Sequence, residues 1–250
     1  MKRLLAPLVL AVTVAGAAGC FNPFDPNVST TRVASTPAPV PNTPANVVRL
    51  FEWCWKNRGI KEYEEIFTDD YRFQFALGDS AGNAYRDAPF TREDELRTAT
   101  GLFVGTIDHD PASDIQLDLD KTLIPLNDDR PGKTAPWHYS IRTKVNLKVI
   151  IDRGSGPEVN EVNGYAKFYL VRGDSAAIPP ELAARGFQPD PNRWWIERWE
   201  DETLPPGGSA TAPAPGLAAS RRPGATPATT NRGMLQYVES TFGRVKLQGL

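Results

Sequence analysis

The chain has 250 residues and a formal net charge of −2, from 28 Lys and Arg residues and 30 Asp and Glu residues. Because acidic and basic residues are interspersed, no basic surface of the kind that binds nucleic acid is predicted. Proline is frequent near 23–44 and again near 205–227, and nearly all of the tryptophans and phenylalanines lie between these two stretches. The sequence therefore predicts one folded domain of roughly 160 residues, a usual size for a domain, with proline-rich segments on both sides.

The N-terminus has the layout of an export signal. A basic start is followed by an apolar run over 4–15 that is too short to span a bilayer comfortably, and then by small residues up to Cys20. Together with Ala18-Gly19 before it, Cys20 resembles the lipobox of bacterial lipoproteins. The resemblance implies a signal peptide over 1–19, removed before Cys20, and acyl chains of the palmitate type on Cys20. The alternative is an ordinary secreted protein in which Cys20 is incidental.

This resemblance also implies a location. Several acyl chains on one cysteine anchor a protein stably in a membrane, because each buried CH₂ contributes about 0.8 kcal/mol to the free energy of membrane binding. Phe21, rather than aspartate, follows the cysteine, which resembles sorting to the periplasmic side of the bacterial outer membrane. Residues 20–42 are predicted to be a lipidated, proline-rich tether that spans on the order of 30–60 Å. Residues 204–232 are predicted to be a disordered linker.

The opening of the folded part is predicted to be a helix. Thr43 is a suitable N-cap and Pro44 suits the first helical position. Gly59 is the expected left-handed residue at the end. A second short helix should follow and end at Asp69-Asp70, before a strand that begins at Tyr71. Apolar residues at helical spacing make one face of the first helix: Val47, Leu50, Phe51, Cys54 and Trp55.

The rest of the domain alternates between helix and strand signals. A capping-box variant at Thr91 predicts a helix to about Leu102 that buries Leu96, Ala99 and Phe103. The amphipathic segment 233–250 is predicted to contain a helix over 234–247, either docked on the domain in cis, which we favour, or free to fold on a partner. The remaining predicted elements are strands at 115–119, 137–151, 162–172 and 193–202, and a short helix at Pro180 to Ala184.

This order of elements is α+β. It resembles the nuclear transport factor 2-like superfamily, also called the cystatin-like cone, which includes SnoaL-like enzymes. The resemblance covers 43–203 and implies N-terminal helices packed on a strongly curved, mostly antiparallel sheet with a pocket at its open end. It is carried by Thr43-Pro44, Asn57-Arg58-Gly59, Thr68-Asp69-Asp70 and the Trp-x-Ile-x-x-Trp of 194–199.

The superfamily includes enzymes and non-enzymes, so activity must be argued from the site. In its isomerase branch a tyrosine on the first helix and an aspartate ending the first strand act in catalysis. The matching positions here are Glu52 and Phe75, so the required base is missing and no catalytic residue is assigned. Side chains on the later strands are candidates to line a pocket: Tyr139, Tyr165, Lys167, Trp195 and Glu197.

No metal or cofactor is predicted. His109 and His138 are the only histidines and lie in different segments. The acidic run from Asp108 to Asp114 lacks the fifth, sixth and twelfth residues of a calcium loop. Cys54 is expected to be a buried apolar thiol.

Two functions follow. The first is a lipid-anchored cell-envelope protein whose non-catalytic domain binds a small apolar ligand or an envelope protein. The alternative is a SnoaL-like small-molecule enzyme of isomerase, cyclase or hydrolase type. A cone interior filled by Trp and Phe side chains would favour a binding or a purely structural role, and titratable groups that converge in a deep cavity would favour the enzyme.

Overall fold

The computed structural model describes residues 36–85, 87–152, 154, 156–203 and 236–250. The predicted signal peptide, Cys20, most of the tether and the linker lie outside the described residues.

The described part contains helices and strands in an α+β order. The helices are α1 (Pro44–Asn57), α2 (Ile60–Glu64), α3 (Arg92–Phe103), α4 (Pro180–Ala184) and α5 (Phe242–Leu247). The strands are β1 (Phe67–Gln74), β2 (Phe90–Thr91), β3 (Asp114–Leu119), β4 (Leu126–Asn127), β5 (His138–Asp152), β6 (Pro157–Arg172), β7 (Trp194–Thr203) and β8 (Gln236–Ser240).

The strands form one sheet in the order β2-β1-β7-β6-β5-β3, with β4 beside β5 and β8 beside β6. The pairs are antiparallel except β1–β7 and β6–β8. Register shifts interrupt the ladder of β6 with β7 and that of β1 with β7, and irregularities of this kind bend strands. The predicted fold class, with N-terminal helices packed on a strongly curved, mostly antiparallel sheet, is confirmed.

Helix α1 lies across the inner face of the sheet, against β3, β5, β6 and β7. The Thr43 side chain accepts a hydrogen bond from the Asn46 amide at 3.1 Å, as its N-cap role predicts, and the predicted apolar face is buried. The left-handed residue is Arg58 (φ 55°), not Gly59 (φ −77°), so that prediction is wrong. Glycine is needed at 59 for another reason, because a Cβ there would lie 2.6 Å from the Trp53 ring.

Two boundaries differ from the sequence prediction. Strand β1 begins at Phe67, so Asp69 and Asp70 lie within the strand rather than before it. The packed unit begins near Pro37 rather than at Thr43. Pro41 is buried and its carbonyl accepts the Trp194 amide at 2.8 Å, so the end of the predicted tether is part of the domain.

The C-terminal segment docks on the same chain. Residues 236–240, predicted as helix, form β8 in parallel register with Glu158–Val162 of β6. The physical reason is an open edge, since β7 pairs with β6 only over Gly164–Arg172 and leaves the first part of β6 without a neighbour on the side opposite β5. Helix α5 then turns into the core.

The core is mostly aromatic around the middle of α1. Phe51 packs edge-on against Trp199 (4.8 Å between centroids) and Phe168 (5.0 Å). Phe242 of α5 packs edge-on against both Trp199 (4.5 Å) and Trp55 (4.9 Å). The C-terminal helix therefore completes the core.

Candidate functional site

Ionisable side chains meet inside the fold. Glu95 of α3 is 0 % exposed, Lys246 of α5 is 1 % exposed, and two tyrosines, Tyr63 and Tyr71, are 0 % exposed. These four side chains form what we call the inner polar cluster. Asp201 of β7 is also buried beside it, at 4 % exposure.

The Glu95 carboxylate is the centre of the inner polar cluster. Its Oε1 accepts a hydrogen bond from the Tyr63 hydroxyl at 2.7 Å, and its Oε2 accepts one from the Tyr71 hydroxyl at 2.8 Å. The Lys246 ammonium donates to Oε2 as well. The Tyr63 oxygen in turn accepts from the Trp55 indole at 3.2 Å. Both carboxylate oxygens are thus paired, as a buried charge requires.

Burial changes the acid–base behaviour of the cluster. It raises the pKa of Tyr63 and of Tyr71 well above 10, and the adjacent Glu95 charge acts in the same direction, so both phenols remain hydrogen-bond donors. Burial lowers the pKa of Lys246 to about 8, and Glu95 and Asp201 oppose that shift. Lys246 is therefore mainly an ammonium ion at neutral pH.

The Lys246 ammonium is surrounded by aromatic rings. Its Nζ lies 3.5 Å from the ring centroid of Phe73, 3.8 Å from that of Trp199 and 5.3 Å from that of Phe90. Cations are attracted to ring faces at such distances. We call Phe73, Phe90 and Trp199 the aromatic box. Together with Glu95 it surrounds the Lys246 ammonium group.

Polar contacts hold α5 in place. Thr241 caps the helix by accepting from the Arg244 amide at 3.2 Å, and its hydroxyl donates to Asp79. The Arg244 guanidinium donates to the same carboxylate at 2.8 Å. The Gly243 amide donates to Asp201 at 2.8 Å. The segment is thus held at several points besides Lys246.

Two glycines allow the last residues to approach α3. A Cβ at Gly101 would lie 1.8 Å from the Gly249 carbonyl oxygen, and a Cβ at Gly249 would lie 2.0 Å from the Thr98 carbonyl oxygen. Contacts this short are impossible, so a side chain at either position would push the C-terminus away from α3.

A groove lies beside α5, at the end of β1. Its volume is about 510 Å³, and it is lined in part by Phe73, Phe75, Tyr85, Asp79 and Arg198. Phe73 belongs both to this groove and to the aromatic box, and Asp79 binds α5. The groove therefore borders the site at which the C-terminal helix is held.

The five side chains predicted to line a pocket are not brought together by the structure. Tyr139 packs on the core with its ring 5.5 Å from that of Trp194. Trp195 is buried in a separate small cluster with Val171 and Leu182. Neither side chain lines the groove.

The other three predicted residues take part in surface interactions. The Arg142 guanidinium lies 3.8 Å from the ring centroid of Tyr165, and Arg130 binds Glu197 at 2.9 Å. The Lys167 amine lies 4.7 Å from the ring centroid of a neighbouring tyrosine. The Arg130–Glu197 pair neutralises charge, and all three contacts leave these side chains apart from the inner polar cluster.

The residues that do converge, Glu95 and Lys246, were not predicted. Glu95 is one of three acids in the first turn of α3 and looks like an exposed residue that favours the helix N-terminus. The usable signal is spacing, since Glu95 lies four residues before Ala99 and seven before Leu102, which are both buried. Lys246 likewise follows Phe242 by four residues and so shares its buried face.

The structure adds three observations about other candidate sites. The described residues contain no group of three or more His, Cys, Asp or Glu side chains able to hold a metal ion. Burial raises the pKa of the Cys54 thiol far above its usual range, which keeps it protonated and unreactive. No helix within the described ranges is long and apolar enough to cross a bilayer.

Comparisons with known proteins identify similar solved structures. A conserved protein from Planctomyces limnophilus is 15 % identical, with 64 % of this chain and 92 % of that chain covered and a TM-score of 0.42. A protein from Novosphingobium aromaticivorans assigned as a scytalone dehydratase is 11 % identical, with 70 % and 92 % covered and a TM-score of 0.40. A protein from Kribbella flavida is 13 % identical, with 62 % and 86 % covered and a TM-score of 0.41.

At TM-scores below 0.5 these likenesses identify neither a family nor an activity for this chain. No protein-family model and no curated protein sequence matches it. Its chemistry must therefore be argued from the inner polar cluster.

Proposed function

We propose that this chain is a lipid-anchored cell-envelope protein with a nuclear transport factor 2-like domain that binds a ligand or partner and does not catalyse a reaction. The observation that carries the binding role is that the inner face of the sheet already holds a segment of the chain, helix α5 (Phe242–Leu247). That segment is held by a buried ion pair and by aromatic packing. On this proposal, the interior recognises a chemical group rather than enclosing a reaction volume.

The anchoring part of the proposal is supported by the sequence around Cys20. An apolar run and small residues precede the cysteine, and a proline-rich stretch follows it. The folded unit begins near Pro37. On this proposal, the residues between Cys20 and Pro37 separate the domain from the lipid headgroups.

Expression of the full chain in a Gram-negative host tests the anchor. We expect the wild-type protein in the outer-membrane fraction, with a mass that includes acyl chains on Cys20. The Cys20→Ala variant should lose both properties. A soluble, unacylated wild-type protein would contradict the anchor.

Native mass spectrometry of the detergent-extracted full chain tests the binding role. We expect a non-covalent adduct, either a small molecule or an envelope protein, that is released on denaturation. Repeated preparations that contain only the bare acylated chain would contradict a binding role without affecting the anchor.

The inner polar cluster favours one alternative, a SnoaL-like enzyme. With α5 displaced, the Glu95 carboxylate, held in place by the Tyr63 and Tyr71 hydroxyls, would be a general base. An enzyme should convert its co-purified ligand to a product of changed structure, and Glu95→Gln should stop that conversion. A ligand recovered unchanged would contradict this alternative.

A further inference from the structure

We propose that the interior of the domain is a binding site for a primary ammonium group, and that the Lys246 side chain of the same chain occupies it in this structure. The ligand class is an alkylammonium ion, whose nitrogen takes the place of Lys246 Nζ. The inference rests on the proposed ligand-binding role and goes further by naming the chemical group that is recognised.

The first argument is the arrangement around the nitrogen. Phe73 and Trp199 present their rings within 4 Å of Lys246 Nζ, at 3.5 and 3.8 Å from the centroids, with the Phe90 ring further out at 5.3 Å. Aromatic faces around an ammonium ion are the arrangement that proteins use to bind such ions. A lysine that served only to fill the core would need no such set of ring faces.

The second argument is charge. Glu95 and Asp201 are both buried, and Lys246 is the cation that pairs with Glu95 among the described residues. If the Lys246 side chain left, Glu95 would keep the Tyr63 and Tyr71 hydroxyls as donors and Asp201 would keep the hydroxyl and amide of Thr203. The aromatic box would then lie beside a buried, hydrogen-bonded Glu95 carboxylate that lacks its cation.

The third argument is the way in which the occupant is attached. Lys246 belongs to a segment whose strand, β8, pairs in parallel with an edge of β6, and whose helix reaches the core between that edge and α3. The groove of about 510 Å³ beside α5 shares Phe73 with the aromatic box. An external ammonium ligand that enters by this groove would reach the box once α5 moved aside.

Chemical rescue of Lys246→Ala in the full chain tests the inference. The substitution removes the methylenes and nitrogen of the side chain, and n-propylammonium matches what is removed, whereas 1-propanol has the same shape without the charge. At neutral pH and millimolar concentration, we expect n-propylammonium to raise the Tm of the variant by about 3–6 °C. We expect no such effect of 1-propanol, and none of either compound on the wild-type chain.

A second variant identifies the source of selectivity. In Lys246→Ala combined with Glu95→Gln the carboxylate is gone, and the advantage of n-propylammonium over 1-propanol should disappear. If Lys246→Ala does not fold alone, the same pair of compounds is compared during refolding, with the yield of folded protein from circular dichroism as the readout. Recovery with the amine and not with the alcohol would support the inference.

The outcomes separate this inference from the binding role on which it rests. Equal stabilisation by amine and alcohol would show a cavity that binds ligands without selecting for charge, which overturns the ammonium site and leaves the binding role intact. No effect of either compound, on stability or on refolding, would overturn the ammonium site and count against a ligand-binding interior as well.

Discussion

The Lys246 ammonium binds the Glu95 carboxylate inside the core, although 151 positions separate the two residues in the sequence. Both side chains are almost fully buried, at 1 % and 0 % exposure. The pair joins the C-terminal helix to α3, and the Tyr63 and Tyr71 hydroxyls complete the coordination of Glu95. Most of the predictions below concern this connection.

The Glu95–Lys246 pair should be strongly coupled. Lys246→Met and Glu95→Gln should each lower the free energy of unfolding by about 3–5 kcal/mol, because each leaves a buried group without its partner. The loss in the free energy of unfolding of the double variant should be about 1–3 kcal/mol smaller than the sum of the losses of the two single variants. Urea unfolding of the four chains measures this coupling.

The exposed pair Asp94–Arg97 on the same helix, with N and O 2.6 Å apart, provides the matched control for this cycle. Its coupling should stay below about 1 kcal/mol. Strict additivity for Glu95 and Lys246 would show that the ion pair does not stabilise the docked helix.

Stability should rise with pH just above neutrality because of Lys246. Burial holds its pKa at about 8 in the folded chain, below the 10.5 of an ordinary lysine. Between these values the unfolded chain binds more protons than the folded chain, so the free energy of unfolding increases with pH, by at most about 1.4 kcal/mol per pH unit. Lys246→Met should lack this contribution in urea unfolding between pH 8 and 9.5.

Two comparisons make the pH prediction specific. Lys121→Met, at an exposed position, should leave the pH slope of the wild-type chain unchanged. Above pH 10 the slope should reverse, because the pKa values of Tyr63 and Tyr71 are raised above 10 and the unfolded chain then releases protons that the folded chain keeps. Equal slopes for the wild-type chain and Lys246→Met from pH 8 to 9.5 would contradict the pKa assigned to Lys246.

Gly101→Ala should release the C-terminal segment. Its Cβ would lie 1.8 Å from the Gly249 carbonyl oxygen, so the last residues have to move away from α3. Alanine stabilises the helical conformation by about 1 kcal/mol relative to glycine, so the substitution should not destabilise α3 itself. Amide hydrogen exchange should accelerate at least tenfold in α5 while protection in β5 is retained.

Thr100→Ala, at the neighbouring exposed position of α3, is the control for Gly101→Ala. It should leave exchange in α5 unchanged. Wild-type protection of α5 in Gly101→Ala would mean that the two glycines do not determine how the segment docks.

Trp199 should be a sensitive position of the aromatic core. Its ring packs against Phe51, Phe73 and Phe242 at centroid distances of 4.8, 4.9 and 4.5 Å and against the Lys246 ammonium. Trp199→Ala should lower the free energy of unfolding by about 3–5 kcal/mol. Differential scanning calorimetry of the purified variant measures the loss.

Trp199→Phe separates packing from polar effects at this site. Because the Trp199 indole N–H has no hydrogen-bond partner in the described part of the chain, phenylalanine loses only ring area and part of the attraction to the Lys246 ammonium. The loss should be less than half that of alanine. A loss as large as that of alanine would indicate a polar role for the indole.

Local patterns in the sequence predicted many of the elements. Thr43 and Pro44 begin α1 as predicted, and the capping box at Thr91 is present. The short helix Pro180–Ala184 has the predicted bounds. These features depend on neighbours within a few residues, where capping, proline geometry and periodicity act directly.

The same patterns gave wrong predictions where long-range contacts determine the structure. Residues 236–240 have amphipathic spacing that resembles a helix, yet they form β8, because the first half of β6 has an edge that β7 leaves free. The strand positions predicted to line a pocket were chosen by alternation alone. Alternation assigns a side chain to one face of a sheet but does not show which face surrounds the interior.

By itself, the sequence determined the amphipathic helix α1, the long strands and the α+β class, because these follow from the spacing of apolar side chains along the chain. Only the tertiary structure decided that Glu95 and Lys246 meet. A buried charge is tolerated only where an opposite charge and hydrogen-bond donors converge on it, and here they converge from α2, β1, α3 and α5. Such a convergence depends on how distant segments pack, which no local pattern encodes.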